Sequence, residues 1–111
     1  MKNGLKINYK VWLEKDGEIV IGQGKELLLR YINETGSIHQ AAKKLNMNYR
    51  KAFYYIKAME ERLGKKLVES YRGGATRGGS KLTQEAKKLL EKYEKIINTL
   101  DEVIRNLEKD A

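Results

Sequence analysis

A mainly helical α+β fold with small β-hairpins is what the amino-acid sequence predicts, and three observations lead to it. An Asp-Gly pair at positions 16–17 separates two short apolar runs, which is typical of a two-residue hairpin. Apolar residues recur at helical spacing in three segments between residues 24 and 63, and in a fourth that starts near residue 83. Between the third and fourth segments, the stretch YRGGATRGGSKLT at 71–83 places four glycines between two strand-like runs.

The composition predicts a single cytoplasmic domain. The chain has 111 residues, of which 41% are hydrophobic, enough for a modest core and too many for a disordered chain. It contains no cysteine, so disulfides and thiolate chemistry are excluded. The N-terminal residues MKNGLKINYK lack the apolar segment of a signal peptide, and no run approaches the roughly 18 apolar residues needed to cross a membrane. We therefore expect no membrane partner.

Positive charge is concentrated in the middle of the chain. The formal net charge is +8. Residues 43–82 contain eleven Lys and Arg against three Asp and Glu, whereas the segments before and after them are nearly neutral. Because a solubilising surface usually intersperses acid and base, this concentration favours a polyanionic partner.

The N-terminal part of the chain is predicted to form a hairpin and a first helix. Alternating apolar residues suggest a strand near 5–14, which the Asp-Gly turn would connect to a second strand near 18–21. The segment GKELLLRYINET then predicts a helix over 24–35 that ends at Gly36.

A second, short helix is predicted to begin after Ser37 and to end near Leu45. Ser37 and Gln40 fit a capping box. In that motif the Ser37 hydroxyl accepts a hydrogen bond from the backbone N–H of Gln40, and the Gln40 side chain bonds back to the N–H of Ser37. The residues NMN that follow predict a tight turn.

The third predicted helix runs over 48–63, with Asn48 as its N-terminal cap and Gly64 as its stop. Its core positions recur at a spacing of four, three and four residues: Ala52, Ile56, Met59 and Leu63. The side chains that project from the opposite face are Arg50, Tyr54 and Lys57. Residues 48–57 contain no acid, although Glu and Lys are usually mixed on a solvated helix face. We expect Tyr49 and Phe53 to lie beside the core.

The glycine-rich stretch is predicted to be the tip of a second hairpin, with strands near 67–71 and 80–82. Glycines permit positive φ and a close approach to a phosphate backbone, to which Arg72 and Arg77 would bring charge. Three other interpretations stay open. They are a phosphate-binding P-loop, for which Ser80-Lys81 stand in the wrong order, a fragment of Arg-Gly-Gly repeats of the RNA-binding kind, and a hairpin without function.

The last helix is predicted to begin after Thr83, its cap, and to run to about residue 108. Its apolar residues are spaced alternately by three and four positions over about three heptads. This apolar stripe is far longer than so small a domain can cover. We therefore expect this helix to pair with the same helix of a second copy of the chain. The protein would then consist of a domain at 1–82 and a dimerisation helix at 83–111. The predicted dimerisation residues are Leu89, Tyr93, Ile96, Ile97, Leu100, Val103, Ile104 and Leu107.

Two short helices joined by a tight turn form a helix-turn-helix, and a following hairpin makes it a winged one. Asn, Arg and Tyr are side chains that reach base edges and phosphates in the major groove, so the partner predicted is double-stranded DNA. The predicted DNA-binding residues are Lys43, Lys44, Asn48, Tyr49, Arg50, Lys51, Tyr54, Lys57, Arg72, Gly73, Gly74, Thr76 and Arg77.

The segment GSIHQAAKKLNMNYRKAFYYIKAMEERLGKKLVES, followed by RGGATRGGSKLTQEAKKLL, resembles the N-terminal DNA-binding domain of the ModE family of molybdate-responsive regulators. It is more loosely similar to the LysR-type domain. The resemblance covers roughly residues 5–95. It implies that 48–63 is the recognition helix, that 72–80 is the wing, and that the protein is a homodimeric transcriptional regulator. The 111 residues contain no counterpart of the oxyanion-binding domains of ModE regulators, so we expect these residues to bind no molybdate. The sequence does not identify an effector or a separate sensor protein.

The sequence predicts neither an enzyme nor a metal or cofactor site. His39 is the single histidine, and without cysteine it cannot form a zinc site. Glu60 and Glu61 lie in a charge-rich run and are expected to be solvated. The alternative function is a winged-helix module for protein interaction or assembly without specific DNA binding. The concentration of charge on the third helix and the glycine hairpin argues against it.

Overall fold

The structure, a computed structural model, describes residues 4–73 and 76–109. Within these residues, four helices and two antiparallel hairpins follow one another in the predicted order. The side chains of residues 73, 76 and 77 are outside that part. The elements are β1 (Trp12–Lys15), β2 (Glu18–Gly22), α1 (Gln23–Thr35), α2 (Ile38–Lys44), α3 (Tyr49–Leu63), β3 (Val68–Gly73), β4 (Thr76–Leu82) and α4 (Gln84–Lys109).

One hydrophobic core joins α1, α2, α3 and the first half of α4. Each helix contributes apolar residues at helical spacing, as the sequence pattern predicts. The buried residues of the helices include Leu28, Leu29, Ile32, Ile38, Ala41, Ala42, Ala52, Ile56, Met59, Ala86, Leu90 and Tyr93. The face of α3 opposite Ala52 and Met59 is consequently left to solvent.

The predicted helix caps are present, with one difference at α2. The Ser37 hydroxyl accepts a hydrogen bond from the N–H of Gln40 at 3.1 Å. The prediction of a reciprocal bond to the Gln40 side chain is wrong. The N–H of Ser37 instead donates to the Thr35 hydroxyl at 3.2 Å. At α3, the Asn48 side chain accepts from the N–H of Lys51 at 2.8 Å.

The strand expected over 5–14 is the main error of the sequence prediction. Strand β1 covers only Trp12–Lys15, and it pairs with β2. Residues 5–11 instead lie along α4, where the Tyr9 hydroxyl donates to Asp101 at 2.5 Å. Of the alternating apolar residues, Ile7 and Val11 are half-buried, whereas Leu5 and Tyr9 are exposed.

A cluster of three charged residues, of which only Glu26 is buried, connects α4 to α1. Arg30 of α1 pairs with the buried Glu26 and, at 2.9 Å, with Glu94 of α4. Burial raises the pKa of Glu26 above its ordinary value, although the charge of Arg30 opposes that shift. The Tyr93 hydroxyl also donates to the carbonyl of Val11 at 2.9 Å, which ties the same helix to the N-terminal segment.

The second hairpin is longer than predicted, because β4 begins at Thr76 rather than at Ser80. Two of its glycines are required by close packing within the domain. A Cβ on Gly79 would lie 2.8 Å from the carbonyl oxygen of Gly36 and 2.8 Å from the hydroxyl of Tyr71. A Cβ on Gly78 would lie 2.6 Å from the carbonyl oxygen of Tyr71. Neither glycine has the positive φ that the sequence suggested; both lie within strand β4.

The apolar residues of α4 divide into two stripes. At 100° per residue, those that are buried in the core or line the cleft beside residues 7–11 fall within about 60° of one another. They are Ala86, Leu90, Tyr93, Ile97 and Ile104. A second stripe, also about 60° wide, is half-buried or exposed and consists of Leu89, Ile96, Leu100, Val103 and Leu107. The 26-residue helix accounts for much of the 59 Å long axis of the molecule.

The architecture is therefore the predicted one: mainly α with two small hairpins, a winged helix-turn-helix extended by a long C-terminal helix.

Candidate nucleic-acid interface

The outward face of α3 is basic and carries few ties to the rest of the domain. Arg50 and Tyr54 point away from the core, and the Tyr54 side chain is 65% exposed. Arg50 makes no ion pair with any residue that the structure describes. The first acidic residue of α3 is Glu60, in its last two turns, so the N-terminal half of this face presents only neutral and cationic groups.

The N-terminal hairpin braces one side of α3. The guanidinium of Arg62 donates to the carbonyl of Ile19 at 2.9 Å and pairs with Glu18 at 3.3 Å. The ammonium of Lys15 donates to the carbonyl of Leu63 at 2.9 Å, at the end of the helix. These contacts fix the orientation of α3 and place the hairpin tip beside its C-terminal half.

Glu60 attaches the second hairpin to the other side of α3. Its carboxylate accepts hydrogen bonds from the backbone N–H groups of Leu67 at 2.8 Å and Val68 at 3.2 Å, and it pairs with Lys57 at 3.4 Å. Burial by itself would raise the pKa of Glu60, but the two N–H groups and the Lys57 charge lower it below its ordinary value. The solvated role expected for Glu60 is thus wrong, whereas Glu61 is exposed.

The sequence contains a signal for the position of Glu60. It follows directly on the buried Met59 and lies four residues before Gly64, the first residue of the hairpin root at 64–67. A carboxylate there can reach N–H groups that have left the helix and not yet joined a strand.

Tyr49 and Phe53 are more exposed on this face of α3 than the sequence predicts. They were expected beside the core but are 40% and 41% exposed. The Tyr49 ring stacks on His39 of α2, with centroids 4.3 Å apart, and Phe53 follows at 5.9 Å from Tyr49. The Lys57 ammonium lies 5.2 Å from the centre of the Phe53 ring. We call these three rings, His39, Tyr49 and Phe53, the aromatic row.

The predicted cations differ in how far they are already engaged. Lys43 is exposed and makes no ion pair with a described residue. Lys44 lies 3.8 Å from Glu34 and 5.0 Å from the centre of the Tyr31 ring. Lys51 is also exposed, with its ammonium 5.7 Å from the Tyr55 ring. Lys43 and Lys44 lie in the last turn of α2, and Lys51 lies in the first turn of α3.

At the glycine hairpin the structure covers only part of the prediction. Arg72 is exposed on β3. Gly73 and Thr76 end β3 and begin β4, and Arg77 follows in β4, but the side chains at 73, 76 and 77 are outside the described part. Gly74 lies outside the described residues altogether.

Comparison with known proteins identifies the fold and the family. The model of the bacterial regulatory helix-turn-helix proteins of the lysR family matches residues 27–87, more than half of the chain. The chain belongs to this family. The match runs from α1 through the first turn of α4 and so contains the whole of α2, α3 and the second hairpin.

Two curated relatives are similar to the chain over most of its length. The transcriptional regulator ModE of Haemophilus influenzae is 33% identical over 84 residues, which are 76% of this chain and 33% of ModE. The molybdenum-pterin-binding protein MopB of Rhodobacter capsulatus is 32% identical over 99 residues, which are 89% of this chain and 36% of MopB. The resemblance drawn from the sequence is confirmed, and the chain spans about a third of the length of these relatives.

Solved structures show the same fold at lower identity. A crystal structure of a CbnR_DBD–DNA complex superposes with a TM-score of 0.58 at 22% identity, covering 78% of this chain and 93% of that one. A crystal structure of a BenM_DBD/benA site 1 DNA complex has the same TM-score at 24% identity, covering 78% of this chain and 95% of that one. The winged helix-turn-helix architecture of the family is therefore present.

The family is one of bacterial regulatory proteins. Among the described residues, no cluster of three or more His, Asp or Glu side chains is arranged to hold a metal ion. None of the described helices combines the length and the apolar character needed to span a membrane.

Proposed function

We propose that the protein is a transcriptional regulator that binds double-stranded DNA in a sequence-specific manner, with α3 in the major groove. One observation carries the proposal: the N-terminal half of the outward face of α3 contains no acid and lies within the block of residues 43–82 that holds the excess positive charge. A major groove about 12 Å wide admits a helix. We call α3 the recognition helix from here on.

Arg50 and Tyr54 are the proposed base-contacting residues of the recognition helix. Both are exposed, and Arg50 is free of ion pairs with described residues, so neither has to give up a partner to reach DNA. The Asn48 side chain is used as the helix cap and is proposed to contact DNA only through its remaining atoms. Lys43 and Lys51 are proposed to bind phosphates, because both are exposed cations free of ion pairs with described residues.

The second hairpin, residues 68–82, is the proposed wing. Glu60 fixes its root to the recognition helix, so the two elements meet DNA as one rigid unit. Arg72 and Arg77 are proposed to contact the phosphate backbone or the minor groove. Close packing at Gly78 and Gly79 positions the strand that carries Arg77.

We further propose a homodimer formed through the second apolar stripe of α4. From Ile96 to Leu107 its residues are spaced by four, three and four, the spacing of a helix-pairing seam. Tyr93 is excluded from this interface because it is 2% exposed within one chain. Ile97 and Ile104 face residues 7–11 instead. Two recognition helices would then read half-sites about 34–36 Å apart on an inverted repeat.

Selection from random duplexes tests the proposed function. The protein is incubated with a pool of randomised double-stranded DNA at about 0.15 M salt, and bound duplexes are amplified over several rounds. Enrichment of one motif with inverted symmetry supports the proposal. A pool that stays random, or a protein that leaves a heparin column at low salt, contradicts it and favours a protein-docking module.

A further inference from the structure

The aromatic row is an unusual feature of a face that is otherwise basic. Tyr49 and Phe53 each expose about two fifths of their surface beside Arg50, Lys51 and Lys57. Tyr and Phe are enriched in the contact surfaces of proteins, so two neighbouring exposed rings on this face are a candidate contact for its partner. The rings are also held in place before any partner arrives, by stacking from His39 at one end and by the Lys57 ammonium at the other.

We propose that Tyr49 and Phe53 bind the 5-methyl groups of pyrimidines in the major groove. The protein would thereby distinguish pyrimidines that carry this methyl group from those that lack it. This inference rests on the proposed function, because it requires the recognition helix in the groove. The methyl group at C5 is the apolar feature that the major groove presents, and aromatic side chains contact it favourably. Thymine and 5-methylcytosine both carry that methyl.

The spacing of the two rings specifies how many methyls they reach. Tyr49 and Phe53 are four residues apart, a rise of about 6 Å along the helix. Neighbouring bases on one strand are about 3.4 Å apart. The Tyr49 and Phe53 rings are therefore about two base steps apart. We expect two methyl-bearing pyrimidines within three consecutive positions of each half-site.

Removing the methyl from the DNA tests the inference without disturbing the protein. In the duplex obtained by selection, each thymine is replaced in turn by deoxyuridine, which differs only by lacking the methyl, and affinity is measured by fluorescence anisotropy with the full chain. Replacement at either of two thymines that lie within three consecutive positions is expected to weaken binding about fourfold, the change that corresponds to burying one methyl group. Cytosine at the same positions should bind weakly, and 5-methylcytosine should recover part of the affinity.

Protein variants then assign the effect to the row. In Phe53→Ala the thymine-to-uracil difference should disappear at one of the two sensitive positions, and in Tyr49→Ala it should disappear at the other. Arg50→Ala, the matched control on the same helix face, should keep both differences while binding more weakly overall. Deoxyuridine that is tolerated everywhere by the wild-type protein, or differences that persist in both aromatic variants, would overturn the inference while leaving DNA binding intact. A protein that binds no duplex selectively would overturn the proposed function as well.

Discussion

The carboxylate of Glu60, in the recognition helix, accepts a hydrogen bond from the backbone N–H of Leu67 at 2.8 Å. The same oxygen accepts from the N–H of Val68 at 3.2 Å, where β3 begins. This side chain thus ties the helix proposed to enter the major groove to the root of the wing proposed to contact its edge. It does so without occupying the DNA-facing surface, since its side chain is only 11% exposed.

Replacing Glu60 with Gln is expected to lower the free energy of unfolding by about 1–2 kcal/mol at neutral pH, because an amide oxygen accepts hydrogen bonds more weakly than a carboxylate. The pKa of Glu60 is lowered in the folded protein, so this contribution is present above the ordinary pKa of 4.5 and is lost as pH falls through the lowered value. Urea unfolding at a series of pH values measures it. The exposed Glu61→Gln is the matched control, and a gap between wild type and E60Q that widens in acid would refute this reasoning.

Gly79→Ala is expected to destabilise the protein by about 1–3 kcal/mol, as overpacking does in a closely packed site. The added Cβ would lie 2.8 Å from the carbonyl oxygen of Gly36, which is backbone and cannot rotate away. Gly24→Ala is the control, because its Cβ would meet nothing within 4 Å and a helix favours alanine. Thermal melts of both variants compare them. If the two melt at the same temperature, the wing is not held by this contact.

Replacing Arg72 and Arg77 together with Ala should weaken binding to all duplexes by a similar factor, because phosphate contacts carry no sequence information. The slope of log affinity against log salt should become shallower by about 0.9 for each phosphate that the variant no longer neutralises. Titrations at four or five salt concentrations measure it. Lys109→Ala, at the far end of α4, removes a charge without changing the slope. An unchanged slope in the double variant would show that the wing does not touch DNA.

Placing Lys at Val103 and Leu107 should convert a dimer into a monomer, because two charges per chain cannot be buried in the proposed seam. Substitution is preferable to truncation, since removing the end of α4 would also remove the hydrogen bond between Tyr9 and Asp101. Sedimentation velocity at micromolar concentration reports the mass. Glu102→Lys, on the far side of the helix, should stay dimeric. A wild-type chain that sediments as a monomer would rule out this interface.

The helix caps were predictable because their signals are local. Asn48 and Ser37 each form the expected bond to the backbone three residues later. The pattern at residues 5–11 was misread because alternation shows that one face is apolar but does not say whether a strand or a helix covers it. The partner in this case, α4, lies about 90 residues away along the chain, as the bond between Tyr9 and Asp101 shows.

The interface was only partly predictable for the same reason. The outward direction of Arg50 and Tyr54 follows from helical periodicity alone. Glu60 and Phe53 lie on the flanks of the helix, where the neighbouring element decides between core, solvent and hydrogen bond. Their roles depend on where the wing and α2 sit, which no local pattern in α3 specifies.

The central claim, that the outward face of the recognition helix specifies a DNA sequence, is tested most directly by the affinities of wild type and Arg50→Ala for the selected duplex and for all its single-base-pair variants. We expect Arg50→Ala to lose about 1–3 kcal/mol on the selected duplex and to become indifferent to the identity of one base pair. Its Tm should match that of wild type, because Arg50 is exposed and pairs with no described residue. An equal loss on every duplex, or a Tm lower by several degrees, would contradict the claim.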